Sequence, residues 1–127
     1  ALHNLNRFQQ KAGTRSQALA ATHAMLKQDG LVGVVQHRAP ATASKEWADG
    51  NKGYLNEVAV IAMFAEAGFA LVAQSEINAN PMDQPSGEDN VWQLPPSLRG
   101  NSDDEQRDAM VAIGESDRMT LLFRKAP

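Results

Sequence analysis

Three pairs of side chains have the types and spacing to do chemistry: His3 with Asn4, His37 with Arg38, and Trp47 with Tyr54. His37 and Arg38 directly follow the apolar run of residues 31–35, LVGVV. Such a run of β-formers reads as a buried strand, and ligands of open α/β sheets lie beyond the carboxyl ends of the strands. If Ala1 and Leu2 end a neighbouring strand, His3 and Asn4 emerge beside His37. Two imidazoles at adjacent strand ends suit proton transfer near neutral pH, because histidine titrates there without a large shift. The alternative is that His37 only hydrogen-bonds loop backbone. Trp47 and Tyr54 can wall a small-molecule pocket, ring inward and polar tip available, or simply pack against the helix that follows. His23 lies inside a predicted helix and reads as a surface or boundary side chain.

Several chemistries are excluded by what is missing. The nine glycines make neither G-x-G-x-x-G nor the phosphate-cradling G-x-x-x-x-G-K, and there is no G-x-S-x-G elbow and no H-E-x-x-H pair. Histidines at 3, 23 and 37 lack metal-ligand spacing, so no metal site is expected. With no cysteine, disulfides, zinc fingers and thiol nucleophiles are ruled out, and either a reducing or an oxidising compartment fits.

The elements that must position these residues follow from pattern. Residues 16–28 predict a helix capped by Ser16 and closed by a left-handed Gly30, with Ala18, Ala21, Met25 and Leu26 on one face. Residues 31–35 predict a strand buried on both faces of a parallel sheet. Residues 56–67 predict a second helix with Val58, Ile61, Ala62 and Ala65 inward, ended by Gly68. Residues 69–75 and 117–124 predict two more strands, the last alternating Met119, Leu121 and Phe123 against Arg118, Thr120 and Arg124. Between them lies a 41-residue insert, 76–116, too long for an ordinary loop, which carries a short helix at 103–113 and is anchored by Trp92.

A chain of 127 residues with 43% hydrophobic and 21% charged residues has the make-up of one folded domain, 1–127. Its net charge of -3 argues against a nucleic-acid binder. No apolar run approaches the roughly 20 residues needed to cross a bilayer, and residues 1–30 lack the pattern of a leader, which predicts a soluble chain without a membrane partner.

Four stretches carry a family resemblance: LKQDGLVGVVQHRA, GYLNEVAVIAMFAEAGFALVAQSEINANPMD, VWQLPPSLR and AIGESDRMTLLFRK. Together they resemble a bacterial group of predicted class I S-adenosylmethionine-dependent methyltransferases, across nearly the whole chain. AGF before a strand is common among methyltransferases, whereas SEINANP, LPPSLR and IGESDRMTL are more specific. The resemblance implies an α/β chain forming the C-terminal part of a Rossmann-like class I methyltransferase fold, with an antiparallel final strand pair. Residues 31–35, 69–75 and 117–124 then look like the fifth, sixth and seventh strands, with ALHN at the exit of the fourth.

On that plan the function is methyl transfer from S-adenosylmethionine to a small-molecule acceptor. The resemblance places His3 and His37 as catalytic groups, Asn4 near the cofactor, Arg38, Trp47 and Tyr54 on the acceptor side, and the insert as a lid. His37 is the expected general base or orienting group for an acceptor hydroxyl or amine. The glycine-rich half that holds the cofactor would lie before Ala1, so the chain is expected to be inactive alone. A chain so divided would bare the edge of strand 31–35 and should form a homodimer or pair with its N-terminal half. The competing readings are a stand-alone α/β module that binds a ligand or partner without catalysis, and a vestigial subunit that pairs with a separate cofactor-binding chain.

Overall fold

The computed structural model describes residues 2–127 and shows a mixed α/β arrangement built on a three-stranded antiparallel sheet. Three short helices come first, α1 (Leu2–Arg7), α2 (Gln9–Ala12) and α3 (Thr14–Met25). Then follow β1 (Leu31–His37), α4 (Glu57–Glu66), β2 (Phe69–Ser75), α5 (Asp104–Ile113) and β3 (Arg118–Lys125). The sheet order is β1-β3-β2, so the last strand lies in the middle and runs antiparallel to both others.

Sequence and structure diverge first at the amino end. Leu2 opens a helix rather than closing a strand, so His3 and Asn4 sit in the first turn of α1; the expectation for Ala1 lies outside the described residues. Gly13, with φ 62°, both closes α2 and opens α3, and Ser16 is therefore one turn inside rather than a cap. Gly30 is favoured by space rather than by backbone angle: a Cβ there would lie 2.6 Å from Leu26 Cδ1, a side-chain tip that would have to shift, and 3.1 Å from the Lys27 carbonyl oxygen. The buried residue of α3 is Leu19, while Met25, expected inward, is exposed.

β1 is longer than its apolar run and includes Gln36 and His37. It is not buried on both faces of a parallel sheet. Val34 and Gln36 point into the core, whereas Leu31 and Val35 are 56% and 51% exposed. Antiparallel pairing with β3, from Leu31 opposite Arg124 to His37 opposite Arg118, explains the alternation. β3 alternates as expected, burying Met119, Leu121 and Phe123.

α4 is capped by Asn56, whose side chain accepts from the Ala59 N–H at 3.2 Å. Its buried face is Val60 and Phe64, not the stripe through Val58 and Ala62. From Val58 to Ala65 the helix is apolar all round, so periodicity cannot choose a face; ring size does. Phe64 stacks on Phe123 with centroids 4.3 Å apart and also meets Phe69, which fixes α4 on the sheet. Gly68, φ 91°, then reverses the chain into β2.

The segment 76–116 is held at a few buried residues, Asp83, Val91, Leu94 and Ser116, while its helix α5 buries none. Its anchors are Val91 and Leu94, both buried, with Trp92 only partly covered. Val91 donates its N–H to the carbonyl of Lys52, and Trp47 Nε1 donates to Gly87 O at 2.8 Å. Together with Ala39, Ala48 and Tyr54, Val91 forms a second small core beside the main one. Among the described residues no helix is long and apolar enough to cross a membrane.

Candidate functional site

The carboxyl end of β1 delivers Gln36, His37 and Arg38 to three different environments. Gln36 falls at a core-facing position, so its amide must be satisfied internally, and it is 2% exposed. Its Nε2 donates to two carbonyls, Gly53 O at 2.8 Å and His37 O at 3.1 Å. That fixes the amide orientation and turns Oε1 toward α1, where it accepts from the His3 backbone N–H at 3.1 Å. His3 Nδ1 lies 3.3 Å from the same oxygen. Facing an atom that can only accept, Nδ1 carries the proton, and His3 Nε2 is left with the lone pair.

His37 is held by a hydroxyl instead. Its Nδ1 is in hydrogen-bond contact with Ser116 Oγ, and Arg118 Nε, which can only donate, is 3.4 Å from that oxygen. A serine hydroxyl both donates and accepts, so this bond holds the ring of His37 in place with either tautomer. The two rings lie 5.6 Å apart. Burial is the main reason that His37 is pushed down to about 4, and the neighbouring His3 and Arg118 add to it. His3 is lowered as well, again mainly by burial and against the raising effect of its bond to Gln36. Both rings are thus neutral at pH 7. Of the two, His3 presents an unprotonated Nε2, and His37 is held at Nδ1 by Ser116.

Arg38 is bound within the fold. Nε and Nη2 grip Asp117 in a fork, both at 3.0 Å; Nη1 reaches Glu57 at 2.9 Å, and Nη1 and Nη2 both reach Glu76. All five N–H donors are engaged, so an acceptor molecule can be held by Arg38 only by displacing a carboxylate. Tyr54 is fully buried and donates to Asp83 Oδ2 at 2.9 Å, an oxygen that also accepts from the Asp117 N–H. Burial raises both the Tyr54 phenol and the Asp83 carboxyl above their ordinary values.

The expected site residues are therefore brought together only in part. His3, His37, Tyr54, Trp47 and Trp92 form one aromatic cluster, with His37 6.2 Å from Tyr54 and His3 6.1 Å from Trp92. Asn4 is exposed outside it. Tyr54 borders a cavity of about 90 Å³ and Trp47 a different one of about 260 Å³; neither cavity, nor a groove of about 800 Å³ beside α4, is lined by His3, Asn4 or His37. Ser116, Asp83 and Gln36 were not among the expected site residues. Of these only Gln36 carries a local signal, a polar residue in register with Val32 and Val34.

The sequence holds no glycine-rich cradle, and none of the three cavities above is lined by Asn4 or the two imidazoles. No family model matches the chain, and neither a curated protein nor a solved structure is significantly similar to it.

Proposed function

We propose that this chain supplies the acceptor side of an S-adenosylmethionine-dependent methyltransferase acting on a small molecule, with the cofactor held by residues outside these 127. The observation that carries the reading is the pairing of His3 with His37, 5.6 Å apart at the end of β1, with His3 Nδ1 facing an acceptor and so its Nε2 unprotonated. On this reading His3 Nε2 takes the proton of an acceptor hydroxyl or amine while His37 orients the same heteroatom. A final strand antiparallel to its neighbours is also what the resemblance implies for the C-terminal part of a Rossmann-like methyltransferase fold.

The test is calorimetric titration of S-adenosylmethionine into this chain and into the product of the complete reading frame. Binding to the longer product alone is expected, together with loss of methyl transfer on His3→Gln. Failure of the longer product to bind the cofactor would sink the proposal. The other reading is a ligand- or partner-binding module without catalysis, which that same failure would support.

A further inference from the structure

α4 has more apolar surface than the sheet uses. Val60 and Phe64 pack on the core, yet Val58 is 75% exposed and Ala62, one turn on, is exposed too. With Met63 they form one wall of the 800 Å³ groove, a volume typical of small-molecule sites, which run from roughly 300 to 1,000 Å³. The opposite wall comes from α1 to α3 and the connection before α4, and it contributes Arg7, Arg15 and Lys45.

These cations are arranged differently from Arg38. Asn51 Oδ1 accepts from Arg7 Nε at 3.1 Å, and Asn6 Oδ1 accepts from Arg15 Nη1. Each guanidinium is thereby oriented by a neutral amide, and among the described residues neither it nor Lys45 forms an ion pair. Two carboxylates also line the groove. Asp49 is bonded by the Asn51 backbone and side chain and keeps its charge, and Glu66 stands at the far end of α4, so three cations face two carboxylates. A locally basic groove on a chain of net charge -3 faces an apolar stripe about 12 Å long from Val58 to Glu66.

We infer that the groove binds an anionic amphiphile of small-molecule size, its alkyl part on Val58, Ala62 and Met63 and its carboxylate against Arg7 and Arg15. Guanidinium groups suit this headgroup because their fork matches a carboxylate. The inference goes beyond methyl transfer and stands on different residues, since neither His3 nor His37 lines the groove.

The test is calorimetric titration with monomeric dodecanoate, and with dodecanol and dodecylammonium as the uncharged and cationic counterparts. Saturable binding of dodecanoate at one site is expected, weakened about tenfold or more in Arg7→Gln/Arg15→Gln. Ala62→Trp, placed on an exposed position, should abolish binding while leaving the thermal transition in place. No saturable dodecanoate binding, equal binding of dodecylammonium or dodecanol, or affinity within about twofold in the double variant would each overturn it. None of these outcomes depends on whether the longer product binds S-adenosylmethionine.

Discussion

Ser116 and His37, 79 residues apart in the chain, meet in a hydrogen bond through the imidazole Nδ1. The bond joins the end of β1 to the residues that lead into β3, the strand opposite, so ring orientation depends on sheet register and not on a flexible loop.

The first prediction concerns acid. Above about pH 6.5 the His37 ring is neutral in folded and unfolded chains alike and adds no pH dependence. As pH falls from 6.5 toward 4 the unfolded chain takes up a proton that the folded one refuses, so stability falls, and below about 4 the loss is complete. The effect is on the order of 1–2 kcal/mol, allowing for a ring that is partly solvent-exposed. Urea denaturation from pH 7 to pH 4 should show a shallower slope in His37→Gln. A His37 resonance titrating near 6.5 by NMR would contradict it.

Arg38 should be structural in its effect. Arg38→Ala leaves Asp117 and Glu57 partly buried without their cation and should cost about 2–3 kcal/mol. Arg38→Lys should recover less than half of that, because an ammonium cannot reproduce the fork on Asp117. Thermal unfolding measures both, and a change below about 0.5 kcal/mol in the alanine variant would rule out the clamp.

Tyr54 is the single tyrosine of the chain, so tyrosinate absorbance reports on it alone. Buried against Asp83, it should form no tyrosinate in the folded chain up to about pH 11, above the ordinary range for the phenol. Titration near the usual value of about 10 would place the hydroxyl in water instead. Tyr54→Phe should destabilise by about 1 kcal/mol by removing one of the two hydrogen bonds that Asp83 Oδ2 accepts.

The outer edge of β1 and the exposed Leu31, Val35 and Val72 predict self-association. Light scattering should find a homodimer of this chain, and Val35→Lys should shift it to monomer. A monodisperse monomer of the unaltered chain at high concentration would overturn the expectation.

The strands were legible in the sequence because they are short runs of β-formers between glycine and polar residues, and β3 announces its buried face by strict alternation. α3, α4 and α5 were legible in extent, and α3 and α4 were misread in face, while α1 and α2 were not foreseen. α4 offers apolar residues on every side, and only the tertiary contact of Phe64 with Phe123 selects one. α1 was read as a strand end because Leu2 and its neighbours carry no cap signal. Of the site, the two imidazoles do converge, but not by the strand-end route expected, since His3 arrives on α1. Their partners Gln36 and Ser116, and Asp83 beside Tyr54, act across separations of 33, 79 and 29 residues that leave no local pattern. Arg38 was misjudged for the same reason: its three carboxylates come from α4, the end of β2 and the start of β3.

The central place of β3 has a consequence for how the chain must fold. β1 and β2 never pair with each other, and every strand-to-strand hydrogen bond of the sheet runs through Arg118–Lys125. During synthesis both earlier strands therefore wait, unpaired and rich in valine and leucine, until the last of the three emerges. Closing the sheet then joins segments as distant as Leu31 and Arg124, which makes assembly slow and the waiting chain prone to aggregate. A stretch of β3 is in this sense the timing element of the fold: losing it would leave two strands with no template, not a sheet shortened by one.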